Sequence, residues 1–459
     1  MVRHQKSTEN LLKTAFFAGA FFLLGFLPAQ TDSAELLPAV KPVVWSLQHC
    51  IDYARENNLQ VKSAQLDLAG TEVELKAAKA SRWPSLSFSS SQGFTNGSKF
   101  NDGNGSFVTT SQYTGTYALS TGLTLYNGGK INNTIKQQKV LHEANRFLVE
   151  KARNDIEISV TASFLEVLYA LETLHTDSVV LENSRARLEQ AQARYEAGAI
   201  RQSEYSSIRA QYETDRYNYV VAENNLSNRK LELKQLLEFG PDEALDVAVP
   251  AAEQLDLLRR MPPAAEIYET ALQNMPEIRA SELRISASEY ARKAARAQMI
   301  PSLSLNASVG TGYYTTAQFA FLNQMRNNLN ENVNVGINIP IYQRRQAKSS
   351  VETAKINTEQ AMLNLQTEQK QLLKEVEQAW QDARSAQSRY EAASRQYEAA
   401  QSSYNLVQEE YGAGGKTLVD VLSEKSTYLA SVEEMLKAKY QAVLSLRLLD
   451  FYMNRPASF

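Results

Sequence analysis

The pattern that speaks first in this chain is an alternation. Between 330 and 342, Val333, Val335, Ile337, Ile339 and Ile341 alternate with Asn332, Asn334, Gly336, Asn338 and Pro340. A period of two puts the apolar side chains on one face of a strand and the polar ones on the other. Leu303, Leu305, Ala307 and Val309 alternate in the same way with Ser302, Ser304, Asn306 and Ser308. Upstream, Tyr113, Tyr117, Leu119, Leu123 and Leu125 alternate with Thr114, Thr116, Ser120 and Thr124, and Leu86 and Phe88 with Ser85, Ser87 and Ser89. These runs predict two β-hairpins, 84–126 and 301–342, each greasy on one face and wet on the other. Such strands suit a water-lined barrel facing lipid, with Val333, Val335, Ile337, Ile339 and Ile341 as the lipid-facing set. A soluble sandwich covering its own core has the same alternation. Tyr126, Tyr313, Tyr314 and Tyr342, near the strand ends, fit interfacial girdles. The hairpin tips, 96–106 and roughly 315–330, read as polar loops.

Elsewhere the period is seven. Val376, Ala383, Tyr390, Tyr397, Tyr404 and Tyr411 form one line, with Ala379, Ala386, Ala393, Ala400 and Val407 beside it. Val160, Val167, Leu174, Leu181, Leu188 and Tyr195 form the matching line upstream. A strict seven-residue repeat keeps one stripe against a partner only if the helices supercoil left-handedly, and small alanines allow close approach.

Both patterns occur twice at a nearly constant offset. RWPSLSFSSS (82–91) returns as MIPSLSLNAS (299–308), and RYEAGAIRQSEY (194–205) as EYGAGGKTLVDV (410–421). Two copies of one unit follow, 31–238 and 264–459, joined by a Pro-rich connector, 239–263. Each copy reads as a helix of about 36 residues (46–81 and 264–299), a hairpin, and a much longer helix (130–197 and 345–412). A Gly-containing turn and a helix of about 37 residues (202–238 and 418–453) complete it. The long helix, at about 67 residues and roughly 100 Å, matches two short helices laid end to end.

The N-terminus adds a destination. Arg3, Lys6 and Lys13 precede an apolar run from Ala15 to Leu27, then Pro28-Ala29-Gln30. A cationic start, a short apolar stretch and a small-residue exit predict a secretion signal over 1–30. No later segment is apolar enough for a transmembrane helix, so membrane residence requires β-structure. Four strands per chain cannot close a barrel, and open edges in lipid leave backbone groups unpaired. The barrel is therefore expected to be shared between symmetry-related copies; twelve strands from three chains leave more room for water than eight from two.

Composition mainly excludes. The net charge of -3 gives no field toward nucleic acid. The lone Cys50 cannot pair within the chain. Leu47-Gln48-His49 before it fit a lipobox poorly, and its place among Leu47, Ile51 and Ala54 on an amphipathic helix points to a buried thiol. Four scattered histidines, no Cys pair, no HExxH, no phosphate loop and no Ser/His/Asp spacing argue against an enzyme, a cofactor or a metal centre. Arg344 and Arg345 follow a strand and open a helix, which places them at a barrel-to-helix junction.

Taken together, the duplication, the element order and the two turn motifs YEAGAIRQSEY (195–205) and YGAGGKTLVDVL (411–422) resemble the TolC family of outer-membrane factors. The resemblance covers nearly the whole chain after the signal. It implies a mixed α/β membrane protein, mostly α: a homotrimer with a twelve-stranded β-barrel in the outer membrane, continued by a twelve-helix α-barrel in the periplasm. It also implies a passive export conduit for efflux or type I secretion, partnered by a periplasmic adaptor and an inner-membrane pump driven by protons or ATP. By the same resemblance Gly198, Ala199, Ile200, Gly414 and Gly415 match adaptor-docking positions. Glu204, Tyr411, Lys416 and Asp420 match the pore constriction, with Ser423 where relatives carry a second aspartate. Read from the residues alone, Asp420 is equally a first-turn carboxylate capping the helix behind Thr417. The competing functional reading is a periplasmic coiled-coil adaptor or structural protein without a pore.

Overall fold

The structure is a computed structural model that describes residues 44–455 apart from 102, 104, 242, 251–255 and 316–318. The predicted signal, 1–30, lies outside the described residues, as does the start of the first repeat.

Two helices set the dimensions. α3 (Lys130–Glu196) and α8 (Gln346–Gly412) have 67 residues each, beginning 216 positions apart. Along α8, Val376, Ala379, Ala383, Ala386, Ala393, Ala400 and Val407 are buried, and Tyr390, Tyr397, Tyr404 and Tyr411 are half-buried beside them. α3 lies against α2 (Leu59–Ala80) and α4 (Gln202–Leu236); α8 lies against α6 (Pro276–Arg296) and α9 (Leu418–Tyr452). Contacts of α3 with α6 and with α9 join the two repeats into one sheet of helices.

The helices predicted over 46–81 and 264–299 are each broken in two. α1 (Leu47–Asn57) stops before α2, and α5 (Ala264–Asn274) before α6. In the second repeat the cause is covalent: Pro276 opens α6 without an N–H to offer, and Met275 before it is extended (φ −69°, ψ 124°). In the first repeat Asn58 does the same work with its side chain. Its Oδ1 accepts from the Gln60 N–H at 2.8 Å, and its Nδ2 donates to the Leu236 carbonyl at 3.0 Å, so one buried amide caps α2 and the end of α4.

These breaks coincide with the main core. Leu47, Ile51, Phe164, Leu168, Leu233, Ile267, Val376, Leu446 and Leu449 pack there. Cys50 is fully buried among them, and burial pushes its thiol up to about 12. The connector crosses the same level. Its short strand β4 (Asp246–Val247) pairs in parallel with β1 (Val44–Trp45), and Phe239 stacks edge-on with Trp45 and Tyr53.

At one end of the helices stands a four-stranded antiparallel sheet of β2 (Ser85–Asn101), β3 (Ser106–Asn127), β5 (Ser302–Tyr314) and β6 (Asn330–Asn338), in that order. The hairpins are joined through β3 and β5, and β2 and β6 are left as open edges. Register carries the alternation across all four strands. Leu86, Thr121, Ala307 and Val333 form one row, and Phe88, Leu119, Val309 and Glu331 the next on the same face. The opposite face carries Ser87, Ser120, Ser308 and Asn332, then Ser85, Gly122, Asn306 and Asn334.

The first tip, expected as a loop over 96–106, is mostly ladder, since β2 runs on to Asn101 and β3 starts at Ser106. Two further details depart from the expected hairpins. β6 ends at Asn338, so Ile339 and Ile341 lie beyond the ladder, Ile341 being 94% exposed; Pro340 between them has no N–H to continue it. The second tip, read as a loop, contains a short helix, α7 (Phe321–Asn327). The buried Gln324 holds it, donating to the Phe319 carbonyl at 2.8 Å and accepting from the Tyr314 N–H at 3.0 Å.

Candidate functional site at the helical tips

The far ends of the long helices turn back through the same geometry twice. α3 ends at Glu196 with Ala197 as its C-cap, and Gly198 follows at φ 72°; the Ala199 N–H reaches the Arg194 carbonyl at 2.8 Å and the Gly198 N–H the Tyr195 carbonyl at 2.9 Å. At the end of α8, Gly414 has φ 82°, Gly415 donates to Glu410 at 2.9 Å and Gly414 to Tyr411 at 3.0 Å. Both are Schellman closures, in which a left-handed residue satisfies the last carbonyls. Nothing lies within 4 Å of where a Cβ would stand on either glycine, so backbone conformation alone demands glycine there.

The next helices begin differently. Thr417 caps α9: its hydroxyl accepts from the Asp420 N–H at 3.3 Å, and the Asp420 carboxylate accepts from the Thr417 N–H at 2.8 Å and hydroxyl at 2.7 Å. Those bonds, the backbone one first, hold the Asp420 carboxyl below its ordinary value. In α4 the corresponding cap is Arg201, which makes no side-chain cap. Glu204, three residues on, is therefore free to turn elsewhere, and its Oε1 accepts from the Tyr411 hydroxyl at 2.9 Å. Burial, and then the bond to Glu204, raise the Tyr411 phenol above its usual 10.0. One hydrogen bond thus ties the tip of the second repeat to that of the first.

Around this bond lies a cavity of about 540 Å³ between the two helical hairpins, lined by Arg187, Arg194, Ile200, Glu204, Tyr411 and Lys416 among others. Its inner wall is ionic and buried. Lys425 of α9 donates to Asp215 Oδ2 of α4 at 2.5 Å and to the Ser184 hydroxyl of α3 at 3.1 Å. Ser184 also donates to Asp215, and Gln211 does so at 2.9 Å. Asp215 is 2% exposed. Burial pulls the Lys425 ammonium below its usual 10.5, against the opposing pull of Asp215.

The same duplicated organisation is found in known proteins. A family model for outer membrane efflux proteins matches residues 50–238 and again 267–455. The chain belongs to the outer membrane efflux protein family. It is similar to the outer membrane protein TolC of Escherichia coli (strain K12), with 23% identity over 407 residues, 87% of this chain and 80% of TolC. Among solved structures it resembles CusC, studied for channel formation, with a TM-score of 0.76 at 18% identity over 90% of this chain and 93% of CusC. It also resembles the Campylobacter jejuni CmeC outer membrane channel, with a TM-score of 0.72 at 20% identity over 89% of this chain and 85% of CmeC. As a member of this family of efflux channels the chain resides in the outer membrane and extends into the periplasm.

Within this efflux protein the structure brings Glu204 and Tyr411 into contact and sets Lys416 on the same cavity, 4.0 Å from Glu410. Ile200 lines that cavity too, as does Gly414. Asp420 is exposed and engaged by its cap, and Ser423 is exposed one turn beyond it. Sequence reading passed over Ser184, Asp215 and Lys425. A signal was present: Ile208, Asp215 and Ala222 are spaced by seven, as are Leu418, Lys425 and Val432. A charge within an apolar heptad line marks a buried ion in want of a partner. That the two ions belong to each other is not written in either line.

Proposed function

We propose that three copies of this chain assemble into a single channel that conducts solutes passively from the periplasm across the outer membrane. The observation that carries the reading is the sheet with two open edges and one apolar face, set on helices about 100 Å long. An exposed face of Leu86, Phe88, Val333, Val335 and Ile337 has no counterpart among the described residues to cover it, and lipid is the solvent that suits it. Pairing β2 of one copy with β6 of the next satisfies both edges and encloses the Ser, Asn and Thr face as a wet lumen. Twelve strands and twelve helical segments around the threefold axis follow.

The tips form the periplasmic entrance. The bond between Tyr411 and Glu204, with Lys416 and Asp420 beside it and Ser423 following, restrains the constriction. Gly198, Ala199, Ile200, Gly414 and Gly415 form the surface on which a periplasmic adaptor docks. An inner-membrane pump supplies the energy, as the resemblance to the family of outer-membrane factors implies.

Single cysteines placed along β2 and β6 test the assembly. Disulfide-linked trimers and discrete conductance steps in planar bilayers are expected. A soluble monomer with no conductance would overturn the reading.

A further inference from the structure

The junction between sheet and helices carries charge that the channel reading leaves unused. Four segments meet there: 79–85 entering β2, 126–136 leaving β3, 292–302 entering β5 and 339–350 leaving β6. They contain ten Lys and Arg and no Asp or Glu, in a chain whose net charge is -3. All ten stand within ten residues, along the chain, of the end of a strand.

Two of them are held at a cost. Gly128 and Gly129 open α3 with φ of 65° and 80°, and a Cβ on Gly128 would stand 2.8 Å from the Ile300 Cβ. At the same places in the second repeat, 216 residues on, stand Arg344 and Arg345, with φ of 46° and 68°. Left-handed backbone is strained for any side chain. A cation beside the positive end of a helix is disfavoured as well. Arg345 has one exposed ion pair, 3.4 Å from Glu352, and Arg344 makes no hydrogen bond or ion pair among the described residues. Internal contacts therefore do not account for the pair, and the first repeat shows that glycine makes the same turn without strain.

Next to the arginines stand the side chains of a membrane boundary. Ile341 and Tyr342, three and two residues before Arg344, are 94% and 84% exposed, and Trp83, next to Arg82, is 76% exposed. Apolar strand, then aromatic ring, then cation is the order met on passing from hydrocarbon into a headgroup layer.

We propose that this collar, with Arg344 and Arg345 at its centre, binds the phosphates of anionic phospholipid in the leaflet facing the helices. The inference rests on the sheet being the membrane-spanning part. The ligand is a lipid phosphate because the two exposed arginines follow within a few residues of the exposed apolar Ile339, Ile341 and Tyr342, a setting that suits a headgroup beside hydrocarbon better than a soluble anion. Guanidinium groups suit phosphate oxygens through paired N–H donors.

The test uses the purified full chain in neutral detergent, melted with added phosphatidylglycerol or phosphatidylcholine. Phosphatidylglycerol is expected to raise the melting temperature more than phosphatidylcholine does. In Arg344→Gly/Arg345→Gly, which copies the first repeat, that difference should fall by at least half while melting in detergent alone stays level or rises. Arg344→Gln/Arg345→Gln, should the glycine variant not fold, is expected to lose the difference equally. An undiminished difference in either folded variant overturns the proposal, as does an equal rise with inorganic phosphate. Conductance is read in parallel: a conducting channel without the lipid preference sinks only this inference, whereas a protein that neither inserts nor conducts sinks the channel reading.

Discussion

The Nζ of Lys425 lies 2.5 Å from Oδ2 of Asp215, with the aspartate side chain 1% exposed and the lysine side chain 10%. The pair crosses from α9 to α4, and its lysine lines the tip cavity. Removing one partner strands the other charge in low dielectric. Lys425→Met or Asp215→Leu alone should destabilise the tip by about 3–5 kcal/mol, whereas Ser184→Ala/Asp215→Leu/Lys425→Met together should recover most of the loss. Denaturant melts of the three variants check this. Because Lys425 titrates below 10.5 when folded, the unfolded chain holds its proton more tightly between the folded value and 10.5. Its contribution to stability therefore grows as pH rises through that window.

Tyr411 and Glu204 carry the opposite dependence. The Tyr411 phenol is raised above 10.0, so its bond is intact below that pH and is lost as pH climbs through the raised value. Tyr411→Phe or Glu204→Gln should increase conductance at neutral pH. The rise in wild-type conductance at alkaline pH should be absent in Tyr411→Phe. Single-channel recording across pH reads both effects, and an unchanged neutral conductance would remove this bond from the gate.

The two faces of β6 should respond in opposite ways to one charge. Val335→Lys on the apolar face is expected to cost about 2–4 kcal/mol near the bilayer midplane, and Asn334→Lys on the polar face little. Folding into phospholipid vesicles at graded urea compares them. Equal effects would mean that the apolar row does not face lipid.

At the tips, alanine at Gly414 or Gly198 meets no atom, so only the left-handed backbone resists it. Each substitution should cost about 1–2 kcal/mol. Hydrogen exchange of the last turns of α3 and α8 should quicken accordingly, without loss of the sheet.

Much of this protein is legible from local order. The alternation at 332–338 and the heptads ending at Val407 and Tyr411 are periodicities of a strand and a helix, and each needs only its own neighbours to be read. Gly198 and Gly414 mark their turns for the same reason: the conformation belongs to single residues. The helix expected over 264–299 runs across Pro276, although that residue carries a local signal for the break at Met275; the matching break at Asn58 has no such signal, because an asparagine interrupts a helix only when its side chain finds a partner, here the Leu236 carbonyl, 178 residues away.

What the sequence by itself determined, then, is the inventory of elements, their duplication and the two-faced character of the strands. Tertiary structure alone decided that β3 lies beside β5, that Glu204 leaves its own helix cap for Tyr411, and that Lys425 meets Asp215 across 210 residues. The reason is physical: a period is set by the backbone geometry of adjacent residues, whereas a buried charge or an unused carboxylate is satisfied by whichever partner packing delivers.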